Sequence, residues 1–149
     1  MKRVISTIFH SFILMFICCA ALARDVLVEN RTDAAYIVVT ELYTFGVTSE
    51  CKDCPVILGP HEKARWVIRL PSMTDYYYML QVQVANSFDD IDNAVTIAKP
   101  HAQRHDESWF EMPSAYHVHD DSSLYDENSG YTKETEPFVV VVNDKTGAV

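Results

Sequence analysis

Twelve consecutive residues, Ala34–Phe45 (AAYIVVTELYTF), restrict what this chain can become more than any other stretch. Val, Ile, Thr, Tyr and Phe dominate it. Such side chains lose χ1 freedom against a helical turn but fit a pleated surface. Apolar residues occupy both alternations: Tyr36, Val38 and Leu42 on one, Ile37, Val39, Tyr43 and Phe45 on the other. The run is therefore expected to be a central strand, or one that crosses between two packing environments. Fully extended it would span roughly 40 Å at about 3.3 Å per residue, so a bulge or bend is expected near Thr40-Glu41.

Shorter pieces of the same character follow one another along the chain. Asp25–Glu29 reads as a first strand closed by the turn Asn30–Asp33, and Val56–Leu58 as a short strand before Gly59-Pro60-His61-Glu62. In Lys63–Leu70 the residues Trp66, Ile68 and Leu70 share one face, the pattern of a half-buried strand. Tyr76–Val84 alternates more cleanly still, with Tyr76, Tyr78, Leu80, Val82 and Val84 opposed to Tyr77, Met79, Gln81 and Gln83. Ala94–Ala98 is expected to be a short strand after an acidic loop, and Pro100–Ser108 a polar segment. Trp109–His119 resumes extended structure in two pieces split at Pro113, and Pro137–Asn143 (PFVVVVN) closes the domain as a fully buried strand. No stretch sustains a helical period. The expected class is all-β: an antiparallel β-sandwich of seven to nine strands, Ig-like or a similar Greek key, with a small closed barrel as the alternative.

Residues 1–23 read as a cleaved signal peptide. Lys2 and Arg3 precede the uncharged core Ile13–Ala21, and Ala21-Leu22-Ala23 supplies the small-x-small cleavage pattern. Residues 24–149 would then form one domain, secreted or periplasmic, with no membrane span in the mature chain. The two lost residues are basic and every carboxylate lies after them, so the formal charge would move from −9 to −11. A surface that negative repels nucleic acid and anionic lipid, and suits a cation or a basic protein partner. Asn30-Arg31-Thr32 also spells a glycosylation sequon, although an Asn in a turn is the plainer reading.

Cys51-Lys52-Asp53-Cys54 admits three readings. In an oxidising compartment the default is a disulfide, Cys51–Cys54, that stiffens a loop tip and contributes on the order of 2 kcal/mol at most. A redox-active pair would need a helix N-terminus, which the flanking strands and Pro55 do not provide. Half a zinc site is the third, with His61 as a further ligand. On the first reading Lys52 and Asp53 form a preorganised contact, and Tyr77 and Met79 offer an aromatic face beside Gln81 and Gln83. Alternatively Tyr77 and Met79 pack beneath a loop.

His117 and His119, two apart on a strand, share a face, with Asp120 just beyond. That trio is a candidate site for zinc or copper (Zn or Cu), to which His101 or His105 would add a third nitrogen. The plainer alternative is a polar strand face that happens to carry two histidines. Asp89, Asp90 and Asp92, and Asp120-Asp121 to Asp126-Glu127, invite calcium but lack the spacing of a calcium loop. No nucleophile elbow, zinc-protease motif or phosphate loop is present among only four glycines, so an enzyme is not expected. The expectation is a non-catalytic module that recognises a protein partner through the cysteine-bridged loop and the aromatic strand face. The alternative is an extracytoplasmic metal-binding protein using the strand histidines.

Overall fold

The computed structural model describes residues 22–70, 75–103, 106–121 and 136–146. Ten strands arise in them: β1 (Leu22–Asn30), β2 (Tyr36–Phe45), β3 (Thr48–Ser49), β4 (Val56–Leu58), β5 (Lys63–Leu70), β6 (Tyr77–Ala85), β7 (Val95–Gln103), β8 (Asp106–Glu111), β9 (Tyr116–His119) and β10 (Phe138–Asp144). They form two five-stranded sheets, β3-β5-β1-β10-β9 and β4-β2-β6-β7-β8, packed face to face. Pairing is antiparallel except between β1 and β10, which run parallel. The sandwich is as expected and the closed barrel is not, because each sheet keeps two edges.

The core lies where the inward alternations of the two sheets meet. Val26 and Val28 of β1, Trp66 and Ile68 of β5, and Phe138, Val140 and Val142 of β10 come from one sheet. Ile37 and Val39 of β2, Tyr78, Leu80 and Val82 of β6, and Ile97, Ala98 and Ala102 of β7 come from the other. Phe138–Val142 is buried on both alternations, as its unbroken apolar run requires for a strand flanked by β1 and β9.

Several boundaries differ from expectation. The strand expected to end at Ala98 runs on through Pro100 to Gln103, so the polar segment Pro100–Ser108 contributes to both β7 and β8, which pair antiparallel up to Gln103↔Asp106. The inward residues there are small (Ala98, Ala102) or proline, and the composition is set by the outward Lys99, His101 and Gln103, which masked the alternation. The described residues hold ten strands where at most nine are expected, and the additional one is the two-residue β3, too short to show an alternation. Phe88–Asn93 is a 3-10 turn with Asp89, Asp90 and Asp92 exposed. The split at Pro113 separates more than two pieces of one strand: β8 belongs to one sheet and β9 to the other.

Asn30 is fully buried and builds the turn into β2. Its side-chain amide nitrogen donates to the carbonyls of Ala35, Leu58 and Gly59, while its oxygen accepts from the Thr32 N–H and hydroxyl. The sequon nitrogen is thus committed inside the fold, and the turn reading of Asn30 stands. At the other end of β2, Gly46 (φ 66°) turns the chain from the second sheet to β3 of the first. A Cβ there would stand 2.8 Å from the Asp75 carbonyl oxygen. No described helix is long and apolar enough to cross a membrane.

Candidate functional site

Two surface features branch from the second half of β2, and a bulge creates both. The register of β2 against β6 shifts between Glu41 and Tyr43, close to where excess length called for it. Before the bulge Ile37 and Val39 point into the core. One extra residue reverses the alternation, so Tyr43 and Phe45, of the same parity, face solvent. Beyond Val39 no described strand pairs with the outer edge of β2, since β4 covers only Ile37–Val39.

The first feature is a polar chain from the core to the cysteine loop. Trp66 Nε1 donates to the hydroxyl of fully buried Tyr78 at 2.8 Å, and that hydroxyl donates to Glu41 at 2.6 Å. The Ser49 hydroxyl donates to the same Glu41 oxygen, and the Cys51 N–H donates to Ser49 at 3.1 Å. Burial, and then the Glu41 carboxylate, raise the Tyr78 pKa far above the ordinary phenol value, so this residue is a donor at every accessible pH. Cys51 and Cys54 are joined, with Cα atoms 5.6 Å apart, and Lys52 and Asp53 stand exposed at the tip between them. The third donor beside the sulfurs is Glu41 rather than His61. Ligand atoms of Glu41, Cys51 and Cys54 lie within 4.8 Å of one another, the one such grouping of three among the described residues. His61 instead sits in the β4–β5 turn, 3.7 Å from Asp33.

The second feature is an aromatic ladder on the outer face of the β2-β6-β7-β8 sheet. Tyr77 and Met79 are half-buried on that face, where Phe45 opposes Tyr77, and Tyr43 and His101 oppose Met79 from either side. The Tyr43 and Tyr77 rings meet edge-on at 5.7 Å, and Tyr77 stacks on His101 at 5.3 Å. His101 Nε2 is 2.5 Å from the Ser108 hydroxyl, and on the same face Phe110 opposes Lys99. Phe110 is 64% exposed, Phe45 57% and Tyr43 54%. Isolated exposed hydrophobics are ordinary, whereas Tyr43 and Phe45 lie beside Met79 and Tyr77 across β2 and β6.

The strand histidines are neighbours on β9, with rings stacked at 5.0 Å and 10° apart. His117 Nδ1 lies 3.2 Å from Glu111, and the buried Nδ1 of His119 has no hydrogen-bond partner. Burial, then His117, lower the His119 pKa. Nitrogen lone pairs lie in the ring planes, so two parallel rings do not aim at one point. Asp120 does not complete a three-donor group with them within 4.8 Å. His101 belongs to the aromatic ladder instead, and His105, Asp126 and Glu127 lie outside the described residues.

Tyr43, Phe45, Phe110 and Glu41 are not among the site residues expected from the sequence, and His101 enters there only as a third metal nitrogen. The signal for three of them was present: placing the bulge implies that Tyr43 and Phe45 exchange faces and that Glu41 is the last inward residue. Comparison of the chain with protein-family models and with curated proteins finds no match.

Proposed function

We propose that this protein is a non-catalytic binding module, exported from the cell, that recognises a protein partner through the outer aromatic face and the Glu50–Pro55 loop. One observation carries this reading: the ladder Phe45/Tyr43–Tyr77/Met79–His101 leaves rings in open solvent across adjacent strands. Aromatic side chains present large, low-entropy contact area and dominate binding hot spots. The formal charge of −9 complements a partner rich in Arg and Lys, whose cations also favour ring faces. Lys52 and Asp53, on a tip closed by Cys51 and Cys54, add a contact that loses little freedom on docking. Cleavage after Ala23 would leave Arg24–Asn30 of β1, including inward Arg24, Val26, Val28 and Asn30.

The test compares capture of partners from periplasmic extract or culture fluid by the wild type, by Tyr43→Ser/Tyr77→Ser, and by Lys52→Ala/Asp53→Ala. Loss of the same retained protein with both variants, at unchanged melting temperature, is the expected result. Equal retention by all three refutes the reading. Amino-terminal sequencing of secreted material should begin at Arg24.

A second reading, zinc or copper bound at His117, His119 and Asp120, draws on the unpartnered buried Nδ1 of His119. It requires the stacked rings to rotate. Calorimetric titration of metal-stripped protein tests it: a site lost in His117→Ala/His119→Ala supports it, and no site in the wild type ends it.

A further inference from the structure

We infer that Cys51, Cys54 and Glu41 form a redox-gated zinc site, closed while the cysteines are joined and opened by reduction. The inference does not depend on the protein-binding reading. Its basis is the convergence of three donors from two separate segments, a C-x-x-C loop and the inward end of β2 before its bulge.

The geometry suits a tetrahedral ion. With Zn–S of about 2.3 Å and Zn–O of about 2.0–2.2 Å, donors in such a site stand roughly 3.5–3.8 Å apart. In the joined loop a Glu41 carboxylate oxygen already lies within 4.8 Å of both bonded sulfurs. Two thiols released from one bond move apart into that range by side-chain rotation alone, and C-x-x-C is the spacing used on one side of thiolate zinc sites. Cys51 and Cys54 are half-buried beside an exposed tip, which leaves a fourth position for water.

Glu41 is held as a ligand is held. One oxygen accepts from the Ser49 and Tyr78 hydroxyls, and these are fixed in turn by the Cys51 N–H and by Trp66 Nε1. Outer hydrogen bonds of this kind orient metal-binding carboxylates. Glu41 is half-buried, so its carboxylate meets the sulfurs away from bulk solvent.

The chemistry balances. A dithiol supplies two electrons and two protons to the Cys51–Cys54 bond and leaves as its own disulfide. Zinc then displaces the two thiol protons to solvent. Two thiolates and one carboxylate favour zinc over calcium or magnesium, which prefer all-oxygen shells.

The experiment uses the untagged protein from Arg24 onward, which lacks Cys18 and Cys19, oxidised or reduced with a phosphine that contributes no competing thiol, and titrated with cobalt(II) as a spectroscopic stand-in for zinc. The reduced protein should bind one cobalt with a thiolate-to-metal charge-transfer band that zinc abolishes, and the oxidised protein should show no band. Glu41→Gln should weaken cobalt binding at least tenfold, Cys51→Ser/Cys54→Ser should eliminate the band, and His117→Ala/His119→Ala should leave it intact. A reduced wild type without the band overturns the inference, and that comparison needs no substitution. Glu41→Gln protein that binds as tightly as wild type, or a band lost with the histidines, overturns it equally.

Discussion

Replacing Tyr78 by Phe removes one oxygen atom from the middle of the sandwich, and the structure says what that atom does. The ring of Tyr78 is fully buried against Phe138, edge-on at 6.1 Å, and Phe would keep that packing and leave no large void. What disappears is the acceptor for Trp66 Nε1 and the donor to Glu41, at 2.8 and 2.6 Å. Trp66 is 6% exposed, so its N–H would be stranded, at a cost of about 1–3 kcal/mol, and a hydrogen bond to a charged carboxylate contributes about 1.5–3 kcal/mol more. These overlap in one small network, so we expect a net loss of about 3 kcal/mol. At roughly 3–5 °C per kcal/mol for a domain of this size, the melting temperature should fall by about 10 °C. Urea unfolding followed by tryptophan fluorescence measures the free energy, and a double-mutant cycle with Glu41→Gln should return a coupling above about 1 kcal/mol. A loss under about 0.5 kcal/mol, or additive single mutants, would refute the claim that the hydroxyl ties the core to the loop.

Other substitutions test the remaining supports of the fold. Arg24, 4% exposed, donates to the Glu107 carboxylate, the Glu136 carbonyl and the Tyr76 hydroxyl. Arg24→Ala should therefore cost about 3–5 kcal/mol in urea melts, and Arg24→Met/Glu107→Leu should recover part of it. Burial raises the Glu107 pKa above its ordinary 4.5 despite the opposing pull of Arg24. A raised folded pKa stabilises fully below the unfolded value and less as pH climbs past it. The stability of wild type relative to Glu107→Gln should accordingly fall as pH rises from about 4.5, and a flat difference in melting temperature between pH 4 and pH 7 would contradict this. Gly46→Ala combines left-handed backbone with a 2.8 Å approach to the Asp75 carbonyl and should cost about 1–3 kcal/mol in the same assay.

Local alternation determined a large part of this molecule from the letters alone. The face of β5 that carries Trp66, Ile68 and Leu70, the two faces of β6 and the doubly buried β10 each follow from which residues recur at a spacing of two. The need for a bend in β2 followed from length. Tertiary structure decided what alternation has no means to express. Phe45 and Tyr77 are far apart in sequence, and only the pairing of β2 with β6 brings them together. His101 joins them because β7 continues through Pro100, where inward small residues replace the bulky ones that usually announce a strand. Glu41 meets Cys51 and Cys54 because the chain changes sheets at Gly46 and returns at β4. Side-chain period is a property of neighbours along the backbone, whereas a site is assembled from neighbours across it. The register between strands, set by the bulge and by packing of the whole core, is information that no single segment holds.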